Sequence, residues 1–247
     1  MLRETDVDTM VVRQGVRFDG PVPVDLASAR ALSEKGYTIL LRHAERHHRS
    51  IAELADCFSE TFQSPANVHI YATPPGNFGF SWHYDAEDVF IMQTSGEKEY
   101  ELRKNTVNPW PLAETIPQDM KYERELMPLM RIRLQAGDLL YIPCGYWHRA
   151  KTSLTTDTAI SLALGILSRT AMDLFDLLRS ERIKSPVWRQ RLPFRCIQQP
   201  PVNAGIDLGE EYEYLLEQLA SDLARTVKSD EYRRLVCNRQ GVIVPRI

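Results

Sequence analysis

No apolar run in these 247 residues approaches the length of about eighteen that a membrane-spanning helix requires. The opening residues Met1-Leu2-Arg3-Glu4-Thr5-Asp6 lack the basic-then-apolar pattern of a secretory signal. An excess of basic charge is missing too: 30 Lys and Arg stand against 33 Asp and Glu, for a formal net charge of −3. Generic nucleic-acid binding needs a basic footprint, so no nucleic-acid partner is expected. Cys57, Cys144, Cys196 and Cys237 form no C-x-x-C pair and no framework spacing. They read as reduced thiols, which makes a cytoplasmic protein the expectation. Internal repeats and low-complexity tracts are absent. With 43% hydrophobic residues the chain can bury a sizeable core, and its size suits one main domain with an appendage.

Hydrophobic periodicity divides the chain. Residues 1–24 look like an irregular or short-strand lead-in. Asp25 can N-cap a helix running to about Lys35, with Leu26, Ala29 and Leu32 on one face and Gly36 closing it. Tyr37–Leu41 is a short strand. Ser50–Phe62 presents Ile51, Leu54, Phe58 and Phe62 at helical spacing. Between them, Arg42–Arg49 mixes bases with acid and reads as a solvated helix or loop, with a His-rich metal tract as the alternative.

From Asn67 the pattern changes to strands over 67–73, 88–94, 97–103, 131–135, 138–142, 147–151 and 157–166, with turns and no long helix between them. That alternation predicts an antiparallel barrel or jelly roll. Residues 105–130, rich in Pro and charge, are an insertion suited to a lid or substrate rim. Within it Trp110 either anchors a substrate or, with Leu112, plugs the end of the barrel. Beyond Ser168 the chain turns helical over 170–180 and 210–227, with a linker from Leu192 to Pro201 between.

The most informative feature is His83-Tyr84-Asp85, answered sixty-three positions later by His148. Side chains at i and i+2 of an extended segment point to one side, so His83 and Asp85 can reach one metal from a single strand or strand end. His148 follows Gly137-Asp138-Leu139-Leu140-Tyr141-Ile142-Pro143-Cys144-Gly145-Tyr146-Trp147, read as turn, buried strand, tight Pro/Gly turn and new strand. Two imidazoles and a carboxylate occupy one face of an octahedral Fe(II) and leave three positions open for a co-substrate and O₂. The same donors suit Zn(II) or Ni(II) by affinity, and an H-x-D triplet alone is equally a surface pair.

The segment Tyr71-Ala-Thr-Pro-Pro-Gly76 through His83-Tyr84-Asp85 and Asp88-Val-Phe-Ile-Met-Gln93 to Gly96-Glu97-Lys98 resembles the JmjC/cupin-like oxygenases, closest to the ribosomal-oxygenase branch. The family carries a Tyr, a T-P-x-G turn, the H-x-D pair, a D/E-V-F-hydrophobic-x-Q strand and a G-x-K/R turn in this order. Gly137-Asp138 through His148 is similar to the family's second ligand segment, and the resemblance runs from about residue 20 to about 170. It implies that His83, Asp85 and His148 hold Fe(II). It also implies that Lys98 pairs with the distal carboxylate of 2-oxoglutarate and that the Tyr71 hydroxyl helps hold it. A dicarboxylate deep in a barrel needs a buried cation, tolerable only when paired. The bland alternatives are a solvated turn lysine and a core aromatic.

There are departures. His69 stands where the family often has Asn, and either hydrogen-bonds the co-substrate or substrate or is a satisfied core histidine. Gly165 falls near a family Ser, which leaves Ser161 as the nearest hydroxyl on that strand face.

The fold so implied is mainly β with α: a double-stranded β-helix of the jelly-roll or cupin kind. N-terminal helices flank it within a catalytic domain of residues 1–168, and a C-terminal helical region, 169–247, either mediates a homodimer or covers the barrel. The implied activity is an Fe(II)- and 2-oxoglutarate-dependent oxygenase, consuming O₂ and hydroxylating a C–H bond of a protein or peptide side chain. Alternatives are a small natural-product substrate, demethylation of an N-methyl-lysine, or a non-catalytic metal-binding cupin with a regulatory role.

Overall fold

The computed structural model of the chain describes residues 8–18, 26–117, 120–122, 126–154, 157–192 and 208–240. The expected Asp25 cap and most of the linker lie outside them. The chain divides into two compact units, Met1–Ser168 and Arg169–Ile247.

In the first unit β1 (Thr9–Arg13) and β2 (Val16–Phe18) form a hairpin. Its two-residue turn, Gln14-Gly15, has positive φ at both positions (50° and 83°), as a tight hairpin turn demands. Helix α1 (Leu26–Glu34) ends at Gly36, φ 80°, where the Tyr37 N–H reaches back to the Leu32 carbonyl. β3 (Thr38–Leu41), α2 (Arg49–Phe62) and β4 (Ala66–Thr73) follow. The jelly roll is completed by β5 (Asp88–Ser95), β6 (Lys98–Arg103), β7 (Met130–Leu134), β8 (Leu139–Ile142), β9 (Trp147–Thr152) and β10 (Ala159–Ile166).

Seven strands form one sheet in the order β2-β1-β3-β4-β10-β5-β8, and β7-β6-β9 form the other. Val89, Ile91 and Ala163 of the first meet Tyr100, Leu102 and Leu134 of the second in the core between the sheets. The opposite face of the first sheet carries Val68 and Leu164, which bury against Ala55 of α2. Alternation along β10 therefore sends Leu162 and Leu164 to the helix and Ser161, Ala163 and Gly165 inward. Three small residues in a row leave the interior open beside that strand.

The chain passes from the first sheet to the second between β5 and β6, at Gly96 (φ 65°). A Cβ there would lie 2.8 Å from the Ala159 Cα. The crossing sets Lys98, the first residue of β6, facing inward.

Two local expectations change. Arg42–Arg49 is solvated only in part: Arg46, His48 and Arg49 are exposed, but Ala44, in a 3₁₀ turn over Ala44–Arg46, is buried, and Glu45 accepts the Val68 N–H at 2.9 Å. Trp110 is 83% exposed and plugs nothing.

The second unit is helical: α3 (Ala171–Arg182), α4 (Pro186–Arg189), α5 (Leu208–Val227) and α6 (Asp230–Gln240). Thr170 and Asp173 cap α3 reciprocally, and Asp222 of α5 accepts from both Arg182 and the Trp188 indole. The sequence does not announce α4, a single turn, or α6, which is rich in charged and polar residues. Among the described residues no helix is long and apolar enough to cross a membrane.

Candidate active site

His83 and Asp85 do not lie on a regular strand. They belong to the irregular run between β4 and β5, pinned to the start of β9 by backbone bonds. The His83 N–H donates to the His148 carbonyl at 3.1 Å and the His148 N–H to the His83 carbonyl at 2.8 Å. The Gly145 N–H adds a third bond, to the Asp85 carbonyl at 2.9 Å. Residues far apart in sequence thus become direct neighbours, with imidazole centroids 4.1 Å apart.

The two rings share a second device. His83 Nδ1 lies 2.8 Å from the Ser81 carbonyl and His148 Nδ1 lies 2.9 Å from the Tyr146 carbonyl. A carbonyl can only accept, so each proton sits on Nδ1 and each Nε2 lone pair is free to ligate. His148 Nε2 is 3.4 Å from Asp85 Oδ2, and one ligand atom from each of the three residues lies within 4.8 Å of the others. Burial, with the His148 ring beside it, holds His83 well below the ordinary imidazole value, so it is a neutral donor at pH 7. Donor types, tautomers and convergence all fit a first-row divalent metal such as Fe(II).

Below the triad is a pocket of about 150 Å³, open to solvent and lined by all three candidate ligands and by Tyr71, Lys98 and Tyr100. Lys98 is 4% exposed. Its Nζ donates to Ser161 Oγ at 2.9 Å and sits 5.7 Å from the Tyr71 ring centre. Among the described residues no acidic side chain forms an ion pair with it. Burial drives its pKa down to about 7. Tyr71 is moved the other way: burial, with Asp85 adding to it, pushes the phenol above its ordinary value, so it stays a hydroxyl donor.

Ser161 does not line this pocket; fully buried, it touches it through the Lys98 ammonium and through a side-chain hydrogen bond with Tyr100. His69 is elsewhere. It lines a second chamber of about 370 Å³, also open to solvent, that shares Arg17, Tyr71, Phe80, Asp85, Val89 and Ala163 with the first pocket. Its Nδ1 accepts the His43 N–H at 3.2 Å, which places its proton on Nε2. Sequence reasoning passed over Arg17, which lines both spaces with its guanidinium 5.1 Å from the Phe80 ring, and Glu87. Glu87 offered one signal: its place two residues beyond Asp85.

The JmjC domain family model matches residues 40–174. Ribosomal oxygenase 1 of Gallus gallus is 32% identical over 174 residues, covering 66% of this chain and 28% of that protein. The bifunctional lysine-specific demethylase and histidyl-hydroxylase NO66 of Dictyostelium discoideum is 36% identical over 121 residues, covering 47% of this chain and 23% of that protein. The chain thus spans about a quarter of the length of these curated relatives. Among solved structures, the Escherichia coli ribosomal oxygenase YcfD in complex with cobalt and 2-oxoglutarate aligns with 92% of this chain and 57% of its own. Its TM-score is 0.59 at 19% identity, a likeness of fold. The family match takes in β4 to β10 and all three candidate ligands, and the chain belongs to the JmjC domain family.

Proposed function

We propose that the protein is an Fe(II)- and 2-oxoglutarate-dependent oxygenase that hydroxylates a C–H bond on a protein or peptide side chain. The observation that supports this best is Lys98: a buried ammonium without an acidic partner among the described residues, in the pocket beneath two imidazoles and a carboxylate. A barrel that only held a metal would gain nothing from an uncompensated buried cation, whereas a dicarboxylate co-substrate supplies the missing counter-charge. The names of the relatives, an oxygenase and a histidyl-hydroxylase, agree with protein substrates.

In this reading His83, Asp85 and His148 hold Fe(II), which when bound supplies the O₂ activation that no side chain here can perform. The residues of the chain do the rest. Ser161 accepts from Lys98 and fixes the direction of its ammonium toward the pocket. Lys98 and the Tyr71 hydroxyl take the distal carboxylate and so orient the 2-oxo acid end toward the triad. Ile91, Val89 and Ala163 keep the walls apolar, which limits water near the reacting centre.

Succinate formation from 2-oxoglutarate with Fe(II) and O₂ tests the reading. A screen of peptides and metabolites for a mass gain of one oxygen separates protein from natural-product substrates. Metal binding without succinate under any of these conditions would favour a non-catalytic cupin instead.

The segment 105–130 is proposed to carry substrate recognition. Its Tyr122 stacks on Trp82 at 4.5 Å and meets Trp147 edge-on at 5.3 Å, and those two tryptophans adjoin His83 and His148 in sequence. Tyr122→Ala should loosen the segment and weaken catalysis on the true substrate roughly three- to tenfold in kcat/KM. Substrate-free decarboxylation of 2-oxoglutarate should stay near the parent rate. Equal kcat/KM in the folded variant would move recognition elsewhere, to the Gly76–Phe80 turn.

Residues 1–168 are proposed as the catalytic domain and 169–247 as a helical region that dimerises. Met172 and Phe175 of α3 and Tyr214 and Leu216 of α5 are exposed apolar groups suited to self-association. Sedimentation should show a dimer that Phe175→Glu with Leu216→Glu converts to monomer. Cys57, Cys144 and Cys237 are unbridged, which suits the proposed cytoplasmic setting.

A further inference from the structure

Asn67, Gly165 and Val89 stand side by side across β4, β10 and β5. Over this row lies the Glu87 carboxylate. A Cβ at position 165 would come within 1.9 Å of Glu87 Oε2 and 2.9 Å of Asn67 Oδ1, so the space a side chain would fill belongs to those two groups. Asn67 Nδ2 donates to Oε1 at 3.0 Å and fixes that oxygen. Among the described residues no donor reaches Oε2, and no basic side chain forms an ion pair with Glu87.

The carboxyl group is half-buried and lines the larger chamber beside Asp85. Burial raises its pKa; the Asn67 bond opposes that and the Asp85 charge adds to it. With Oε1 held by Asn67, Oε2 is the oxygen free to accept a hydrogen bond from a group that enters the chamber. The first pocket shows the same incompleteness with opposite sign at Lys98.

Resting on the oxygenase reading above, we infer that Glu87 is the specificity-determining residue of this chamber. It selects a substrate side chain that carries an N–H donor, held at Oε2 while a neighbouring C–H bond faces the triad. Gly165 is part of the device, because any larger residue there displaces the carboxylate.

The probes are fluorescent peptides with randomised flanks and one central residue: Arg, Lys, His, Asn or Gln against norleucine, Leu or Met. Binding to the full chain loaded with Mn(II) and 2-oxoglutarate without oxygen is read by anisotropy. The best N–H-bearing probe should bind the parent protein about tenfold or more tighter than norleucine, the scale of one hydrogen bond to a charged group. Glu87→Leu should bring that ratio to about one. Gly165→Ala, at a position without positive φ, should lower it as well by pushing the carboxylate out of place.

A folded Glu87→Leu variant that keeps the parent ratio overturns the inference. Uniform weakening of every probe also overturns it, since that is what a carboxylate merely bracing Asn67 would give. Succinate formation by the parent protein is scored apart. Discrimination without turnover would retire the oxygenase reading and leave the selectivity of Glu87 standing; turnover without discrimination would do the reverse.

Discussion

Alanine at His83, Asp85 or His148 should abolish 2-oxoglutarate turnover and leave the fold in place. Two remaining protein donors hold a divalent metal poorly. Even changes to groups behind the ligands commonly cost about 10–100-fold in metal affinity. Loss of a ligand should exceed that range, seen as absent heat on Fe(II) or Mn(II) titration by calorimetry. The fold should survive because the bonds that bring the segments together are backbone bonds, from His83 to His148 and from Gly145 to Asp85. Truncating the side chains removes none of them. An alanine variant at any of the three with near-parent turnover would show that the metal lies elsewhere.

The second large effect concerns Lys98, and it has two signs. Lys98→Ala should weaken 2-oxoglutarate by about 2–5 kcal/mol, roughly thirtyfold to several thousandfold, because the dicarboxylate would then be buried without its counter-charge. Metal affinity should barely change, as Lys98 is not among the candidate ligands. Lys98→Met should meanwhile raise the melting temperature of the unloaded protein. The ammonium is desolvated with only Ser161 to accept from it, and an apolar chain of similar length removes that penalty.

The pH dependence follows from the same burial. The unloaded ammonium gives up its proton as pH rises through about 7, so affinity for the dianion should be flat below that and fall above it. Titrations across pH 6–9 with metal-loaded protein check the sign. An unchanged dissociation constant in Lys98→Ala would assign the clamp to another cation, and Arg17, which lines the same pocket, is then the first to test.

Much of this was legible in the residues because the jelly roll depends on local alternation and on turn glycines. The strands from β4 to β10 are recognisable within a residue or two, since most are bounded on at least one side by Gly, Pro or Asn and alternate inward and outward. The triad was legible because its spacing is chemical: ligands two apart, then a Pro-Cys-Gly turn feeding the third. What escaped depends on tertiary contact. Nothing local shows that Glu45 will cap an N–H of β4, or that the mixed run around it will therefore be ordered. His69 and Tyr71 share a strand face but line different sets of spaces, because the small inward residues of β10 leave room where a larger side chain would have closed it. The position of Glu87 two residues beyond Asp85 is visible locally, but its seat over Gly165 is set by the pairing of β10 with β5.

The place of β10 in the sheet has a consequence for how the chain comes to be folded. It is the last strand in sequence among the described residues, yet it lies between β4 and β5, and its end residue Ile166 pairs with Ala66, one hundred positions earlier. Every triad residue is synthesised before it. A chain that has reached His148 but not Ala159 therefore holds all its metal donors while two long strand edges, of β4 and β5, stay unpaired. Such edges invite pairing with other chains, and closing so long a loop is slow, on a timescale of about milliseconds to seconds. Nascent or truncated chains that stop short of β10 should aggregate whether or not metal is supplied, so during synthesis closure of the sheet, not metal capture, limits when an active site can exist.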